Sequence, residues 1–127
     1  IQCIDGLEHV PRTMWENIEG DYIRKLPFVH LMNEIYRVSK HESIFYIETP
    51  GSDQAFHRDI THCNYLSHDW YEYFKKEDNL YFEQSLIKTN FKLISNEFRK
   101  YRWTDKDIMC TKLKAVKEDK PSKGVLI

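Results

Sequence analysis

Glycine is scarce in this sequence: the chain has four glycines among 127 residues, and none of them forms a GxGxG pattern. A turn of that kind lets the backbone approach a bound nucleotide closely, so a glycine-rich cofactor loop is excluded from these residues. Cysteine is also sparse, because Cys3, Cys63 and Cys110 are odd in number and form no CxxC pair. This usage predicts free thiols in a reducing compartment, and therefore a cytoplasmic protein.

Long apolar runs and an excess of charge are missing as well. No stretch approaches the roughly 18 to 20 apolar residues that span a bilayer, and the first residues show no basic and apolar leader pattern. The net charge is -1 at pH 7, so no overall field would attract nucleic acid or an anionic membrane. We therefore expect neither nucleic acid nor a membrane as a partner.

The residues that are present suit one domain. The sequence is 41% hydrophobic and 14% aromatic over 127 residues, which is enough for a single core. Residues 118–127 are charged and contain Pro and Gly, which predicts a flexible tail after a domain that covers 1–117.

Apolar patterns predict a strand, a helix and a second strand in the first third of the chain. Residues 1–4 are apolar and are followed by Asp5 and Gly6, which is typical of a buried strand that ends in a loop. Apolar residues recur at helical spacing over 27–40, and 44–47 is an unbroken β-branched and aromatic run. This order predicts a parallel strand pair joined by a crossover helix, and therefore an α/β fold.

Weaker patterns predict the remaining elements. Residues 13–20 are predicted to be a helical turn in which Thr13 and Glu16 form a capping box. A polar, histidine-rich loop is predicted over 51–66, before a short aromatic helix that Ser67 caps. The last predicted elements are a turn or strand at 79–82 and an antiparallel strand pair at 91–98 and 107–116, connected by 101–106.

Three stretches of this sequence carry a resemblance to a known family: 5-DGLEHV-10, 31-LMNEIYRVSKHESIFYIETP-50 and 59-DITHCNYLS-67. In order and spacing they resemble the second half of class I S-adenosylmethionine-dependent methyltransferases. The first resembles the D..EHV end of that family's fourth strand, and the second resembles its L.E..RVLKPGG.L.I..P helix and fifth strand. The third resembles a DPTH.N..S loop found in some members. The resemblance implies a partial Rossmann-like fold, with 1–117 as the C-terminal half of a methyltransferase domain.

The sequence departs from the family at two places. Residues 40-KHES-43 stand where the family has KPGG, so both glycines of that turn are missing. The glycine-rich loop and the acidic strand end that hold S-adenosylmethionine in the family are also missing from this sequence. The resemblance therefore implies a chain that begins in mid-fold, does not bind S-adenosylmethionine alone, and forms a homodimer or larger aggregate through the open edge at 1–4.

The first loop is the first candidate site. By resemblance, Asp5, Gly6, Leu7 and Glu8 line the methionine side of the S-adenosylmethionine pocket, and His9 lies close enough to the transferred methyl group to act as a catalytic base. The alternative from residue type alone is that these polar side chains cap backbone amides. A third possibility is a divalent metal ion on Asp5, Glu8 and His9, because some quinone-pathway methyltransferases show a similar spacing of acidic residue, Glu and His.

The histidine-rich loop is the second candidate site. The resemblance implies that His62 is a catalytic residue that, together with Asp59, faces the acceptor substrate across the cleft, and that His9 and His62 point toward this one cleft. The alternative is a surface loop in which Asp and Thr side chains make only their own turn hydrogen bonds. The expected substrate-binding residues are Pro50, His57, Asp59 and Tyr65.

Two functions from different classes follow from these observations. The resemblance implies methyl transfer from S-adenosylmethionine to a small-molecule acceptor, with the isolated chain inactive. The rival expectation is a non-catalytic remnant of the fold that acts as a self-associating or interaction protein. A GxGxG motif after an apolar strand in the sequence ahead of Ile1 would favour the enzyme.

Overall fold

The computed structural model describes residues 1–83, 86–100 and 107–117. Within these ranges the chain forms a four-stranded mixed sheet, a two-stranded hairpin and short helices. The strands are β1 (Gln2–Ile4), β2 (Met14–Ile18), β3 (Asp21–Lys25), β4 (Ile44–Pro50), β5 (Phe91–Lys100) and β6 (Asp107–Ala115). The helices are α1 (Pro27–Val38), α2 (Asp53–His57) and α3 (Leu80–Glu83), with 3-10 turns at Leu7–His9 and Trp70–Phe74. The predicted tail at 118–127 and the predicted connection at 101–106 lie outside the described residues.

The predicted parallel pair and its crossover helix are confirmed. β1 pairs in parallel with β4, with Cys3 opposite Ile47, and α1 connects the two strands. Pro27 begins the helix, where its missing N–H would have had no intrahelical partner. Phe28 and Met32 on the apolar face of α1 are buried in the core beside the sheet. The fold class is therefore α/β, as the sequence predicted.

The predicted antiparallel pair is confirmed too, and it completes the same sheet. The strand order is β1-β4-β6-β5, and β6 runs antiparallel to both of its neighbours. Leu113 on β6 lies opposite Phe45 on β4 and Leu93 on β5. The last strand in the described sequence is therefore an inner strand, which accounts for its nearly continuous burial.

The helical turn predicted at 13–20 is wrong, because this region is the β2–β3 hairpin. Glu19 and Gly20 are the two residues between the strands, and their φ angles are 52° and 92°. Positive φ at both positions is the type I′ geometry that matches the twist of a two-residue hairpin. Thr13 and Glu16 therefore form no capping box, since Glu16 lies within β2.

Two further local predictions are corrected. The loop predicted at 51–66 contains the short helix α2, and Ser52 caps it by accepting a hydrogen bond from the amide of Ala55 at 3.2 Å. Ser67 does not cap the aromatic 3-10 turn with its side chain, because its hydroxyl donates to the carboxylate of Asp69 at 2.8 Å. The segment predicted as a turn or strand at 79–82 is the helix α3.

The turn at residues 40–43 contains no glycine but has a glycine-like backbone. Glu42 adopts a φ of 69°, in the left-handed region that glycine adopts at little cost. For a residue with a side chain this conformation costs roughly 1 to 2 kcal/mol. The amide of Glu42 donates to the carbonyl of Ala115 at 2.7 Å, which holds the turn against the end of β6.

Cys3, Cys63 and Cys110 are all unpaired. Among the described residues, no helix has both the length and the apolar character that crossing a bilayer requires.

Replacing Leu113 on the inner strand β6 should destabilise the fold far more than replacing Leu93, its partner on the neighbouring strand β5. Leu113 is fully buried, whereas its cross-strand partner Leu93 is 42% exposed. Leu113→Ala should therefore lower the free energy of unfolding by about 2 to 5 kcal/mol, and Leu93→Ala by less than about 1 kcal/mol. Urea titration of both variants measures the difference, and equal losses would contradict the described burial.

The exposed edge at β1 should make the chain self-associate. The sequence predicted a buried strand at 1–4, but Ile1 and Ile4 are 54% and 49% exposed because β1 is the outer strand of the described sheet. Light scattering should show a dimer or larger species, and Ile4→Lys should shift it towards monomer by placing a charge on the edge. Val38→Lys, at an exposed position on α1, is the control that should leave association unchanged. A monomeric parent chain would rule out association through this edge.

Candidate active site at the ends of the parallel strands

A cavity of about 570 Å³ lies where β1 and β4 end. The carboxyl ends of parallel strands are the usual place for ligand sites in open α/β sheets. Its lining combines carboxylates, imidazoles, a guanidinium and a few apolar side chains. The residues that line it are Asp5, Glu8, His9, Pro50, Ala55, Arg58, Asp59, Ile60, His62, Asp107 and Ile108.

The first wall of the cavity is the turn that follows β1. Asp5 has a φ of 55°, a left-handed conformation that Asp tolerates better than most residues, and this turns the chain out of the strand. Gly6 comes next, where a Cβ atom would lie 2.6 Å from the sulfur of Cys3. Leu7 is fully buried in the core and fixes the base of the turn. Glu8 and His9 are thereby placed on the cavity side.

The second wall is the loop after α2. The carboxylate of Asp59 accepts hydrogen bonds from the amide and the hydroxyl of Thr61, at 2.8 and 2.6 Å, which closes a tight turn before His62. The amides of Cys63 and Asn64 then donate to the carbonyl of Glu8, at 2.8 and 3.0 Å. These two backbone hydrogen bonds join the walls.

A buried side chain reinforces the contact between the walls. Asn64 is 1% exposed, and its amide nitrogen donates to the carbonyl of Leu7 at 3.3 Å. Arg12 donates to the side-chain oxygen of Asn64 at 2.5 Å and to the carbonyl of Tyr65 at 2.6 Å. The relative position of the two loops is therefore fixed by side chains as well as by the backbone.

His9 and His62 meet across the cavity. Their ring centroids are 4.8 Å apart, and the ring planes are inclined by 66°. Nδ1 of His62 lies 2.6 Å from the carbonyl oxygen of Phe56, which can only accept a hydrogen bond. Nδ1 of His9 lies 3.2 Å from both the carbonyl and the hydroxyl oxygen of Thr61. That hydroxyl already donates to Asp59, so it too accepts from His9.

These acceptors fix the tautomer of both neutral imidazoles. Each ring carries its hydrogen on Nδ1, and each therefore leaves a lone pair on Nε2. Nε2 of His62 lies 3.9 Å from a carboxylate oxygen of Glu8 and 3.6 Å from one of Asp59. The arrangement places the Nε2 lone pair of His62 close to two carboxylates, with His9 beside it.

The two carboxyl groups have opposite environments. Glu8 is 2% exposed, and its Oε1 atom has no hydrogen-bond partner. Burial raises the pKa of this carboxyl above its ordinary value, against the opposing effect of its own backbone amide. The hydrogen bonds from Thr61 lower the pKa of Asp59. Environments that separate two carboxyl pKa values in this way are typical of sites that move protons.

Six of the residues singled out in the sequence line the cavity together: Asp5, Glu8, His9, Pro50, Asp59 and His62. Gly6 and Leu7 do not line it, and instead shape the wall and fill the core beneath it. His57 and Tyr65 also lie outside the lining and place their rings against Phe56, at centroid distances of 5.1 and 5.2 Å.

The metal set considered in the sequence is regrouped by the structure. The donor atoms of Glu8, His9 and His62 all lie within 4.8 Å of one another. Asp5 is not part of this group. The third ligand beside Glu8 and His9 is therefore His62, and not Asp5 as the sequence spacing suggested.

The sequence patterns do not indicate the part of the lining that β6 and the end of α2 contribute. Arg58 brings a positive charge to the cavity, and Asp107 and Ile108 come from the first two positions of β6. Ile108 lies opposite Pro50, and a Cβ atom on Gly51 would lie 2.8 Å from its backbone. Only the pairing of β6 with β4 brings Asp107 and Ile108 to the site, and no local pattern indicates that pairing.

Removing the charge of Glu8 should stabilise the protein at neutral pH. Because the folded-state pKa is raised, the stability linked to this group is present below its unfolded-state pKa and is lost as pH rises through the folded value. Glu8→Gln should therefore increase the free energy of unfolding at pH 7 by on the order of 1 kcal/mol, and the gain should vanish near pH 4. Urea titrations in a chelating buffer measure this effect, with Glu19→Gln in the exposed hairpin turn as the control. A loss of stability at pH 7 would contradict it.

Comparison with known proteins assigns no family to this chain. No protein-family model, curated protein or solved structure matches it. The cavity and its side chains, together with the three sequence motifs, therefore provide the basis for a functional proposal.

Proposed function

We propose that this chain is the acceptor-side part of an S-adenosylmethionine-dependent methyltransferase that acts on a small molecule. The observation that carries the proposal is the meeting of His9 and His62, with rings 4.8 Å apart, in a cavity at the carboxyl ends of β1 and β4. The two histidines belong to separate motifs of the resemblance, which implies that both point toward one cleft. A cytoplasmic location is part of the proposal and is supported by the three unpaired cysteines.

The backbone supports a partial Rossmann-like fold as the framework of this site. The parallel pair, its crossover helix and the antiparallel strands that follow occur in the order that the resemblance implies. Glu42 adopts the left-handed conformation at the turn where the family has glycine. The backbone of the turn at residues 40–43 therefore supports the resemblance, although the side chains of this turn differ from those of the family.

The proposed chemistry uses the imidazoles as proton acceptors. S-adenosylmethionine, when bound, would supply a methyl group to an acceptor oxygen or nitrogen by in-line displacement, in which the sulfur–methyl bond breaks and S-adenosylhomocysteine leaves as a neutral thioether. The Nε2 lone pair of His9 or His62 can accept the proton that the acceptor loses. Glu8 and Asp59, at 3.9 and 3.6 Å from Nε2 of His62, would stabilise the resulting imidazolium.

The residues present fit one end of the methyl donor. Asp5 and Glu8 bring carboxyl groups to the cavity, where a positively charged sulfonium would be attracted. Gly6 and Leu7, which the resemblance assigns to the methionine side of the pocket, do not line the cavity and instead shape and support the wall that carries these carboxyl groups. The sequence holds no GxGxG turn for the rest of the cofactor, so we propose that this part of the cofactor is bound by residues that this sequence does not include.

A second candidate function is an interaction protein without catalysis. The β2–β3 hairpin favours it, because Trp15 and Tyr22 on the two strands are 63% and 70% exposed. Exposed aromatic residues are typical of contact surfaces between proteins. A chain that self-associates and never contributes to S-adenosylmethionine binding would support this function over the first.

Methyl transfer should depend on His62 in a protein that contains the whole cofactor site. The coding sequence ahead of Ile1 is expected to contain a GxGxG motif after an apolar strand, and the longer product should bind S-adenosylmethionine while residues 1–127 alone should not. In that product, His62→Gln should lower the rate of labelled methyl transfer to a panel of phenols, carboxylic acids and amines by about 10² to 10⁴.

The matched control is His68→Gln, at an exposed position in the same part of the chain. It should leave the rate unchanged. A longer product that has no glycine-rich motif and binds no S-adenosylmethionine would rule out the proposed function. Binding at micromolar strength by residues 1–127 alone would instead show that these residues hold a more complete cofactor site than the motifs imply.

A further inference from the structure

Glu8, His9 and His62 bring three metal-ligand atoms together at the cavity. One donor atom from each side chain lies within 4.8 Å of the other two. Glu8 and His9 come from the turn after β1, whereas His62 comes from the loop that the backbone of Glu8 binds. The cluster is therefore held by two separate segments whose relative position is fixed.

Both imidazoles are oriented as metal ligands are. His9 and His62 donate their Nδ1 hydrogens to the backbone of Thr61 and Phe56, which leaves Nε2 unprotonated in the neutral rings. Histidines that bind metals almost always make such a second hydrogen bond, which fixes the ring and increases the basicity of the free nitrogen. The hydrogen bonds that orient histidine ligands around a metal ion are thus already present.

The carboxyl group of Glu8 is an independent indication of a ligand. It is 2% exposed, and Oε1 has no hydrogen-bond partner. Its other oxygen lies 3.9 Å from Nε2 of His62, which is too far for a hydrogen bond. A buried carboxylate oxygen without a partner is costly, and the neighbouring Nε2 of a neutral His62 carries a lone pair and cannot donate to this carboxylate. A cation between these atoms would satisfy all of them.

We propose that Glu8, His9 and His62 bind a divalent transition-metal ion of the Zn²⁺ type. Two imidazole nitrogens and one carboxylate oxygen favour such ions over Mg²⁺ or Ca²⁺, which prefer sets of oxygen ligands. Tetrahedral coordination at about 2.0 to 2.2 Å separates the ligand atoms by about 3.4 Å. The pair at 3.9 Å therefore needs to close by about half an ångström, and the most widely separated donor atoms, at up to 4.8 Å, by about 1.4 Å. The remaining coordination position would open into the cavity, as in catalytic rather than structural zinc sites.

This site does not depend on the proposed methyl transfer. A nitrogen that binds an ion cannot accept a proton at the same time, so the two uses of His9 and His62 exclude each other at any moment. A binding measurement on the metal alone therefore succeeds or fails separately from any transfer assay.

Titration of the chelator-treated chain with Co²⁺ tests the site directly. A single ion should bind with a visible absorption band typical of nitrogen and oxygen ligands in a four-coordinate site, and Zn²⁺ should displace it while Mg²⁺ should not. His62→Ala and Glu8→Gln should each weaken binding by about 100-fold or more, because each removes a direct ligand. His30→Ala is the control, since His30 is exposed on α1 and lies outside the cluster.

Glu8→Gln keeps the volume of the side chain and removes a buried charge, so it separates loss of binding from loss of folding. Circular dichroism of each variant without metal should match that of the parent chain. Absence of the Co²⁺ band together with no heat of Zn²⁺ binding would overturn the proposal. Binding that survives in both Glu8→Gln and His62→Ala would overturn the assignment of ligands, and preferential binding of Mg²⁺ would overturn the class of metal.

Discussion

The backbone carbonyl of Glu8 accepts hydrogen bonds from the amides of Cys63 and Asn64, and these bonds join two loops that are far apart in sequence. The facing walls of the cavity depend on this contact. It places His62 opposite His9, and it brings the Asp59–Thr61 turn to the Nδ1 side of His9. Without it, the first loop would keep its carboxylate and its imidazole but would lack a facing wall.

Adjacent residues of the first loop have opposite energetic roles. Leu7 and Glu8 are both buried, but Leu7 contributes apolar surface to the core whereas Glu8 brings a carboxyl group without a full set of partners. Burial of a Leu side chain contributes roughly 1.5 to 3 kcal/mol, which is of the same order as the penalty for an unsatisfied polar group. The left-handed backbone at Asp5 adds a further cost in the same turn. Strain and unsatisfied polar groups that concentrate at one loop are typical of functional sites.

The regular elements of the sheet could be predicted because their periodicity reflects burial on a particular face. The helix at 27–38 has an apolar stripe, and β4 and β6 are apolar over most of their length. The hairpin could not be predicted in this way, because its strands are exposed throughout and its turn uses Glu19 at positive φ instead of the usual Asn or Asp.

Only part of the candidate site could be predicted, because the motifs identify side chains but not the backbone contacts that orient them. The motifs indicated His9 and His62, but the hydrogen bonds that fix their tautomers come from the backbone at Phe56 and Thr61, which any residue type could provide. Arg58 and Asp107 reach the cavity through α2 and through the pairing of β6 with β4. Such positions depend on contacts between distant segments, and local sequence carries little information about them.

The position of β6 inside the sheet also determines when the sheet can form during synthesis. β4 needs β6 on one side, and within the described sheet β5 pairs only with β6. A ribosome must therefore add Asp107–Ala115 before the strand at Ile44–Pro50 can be covered. Until then, the open side of β4 remains available to other polypeptides and to chaperones, and the carboxyl-end cavity lacks the wall that Ile108 completes.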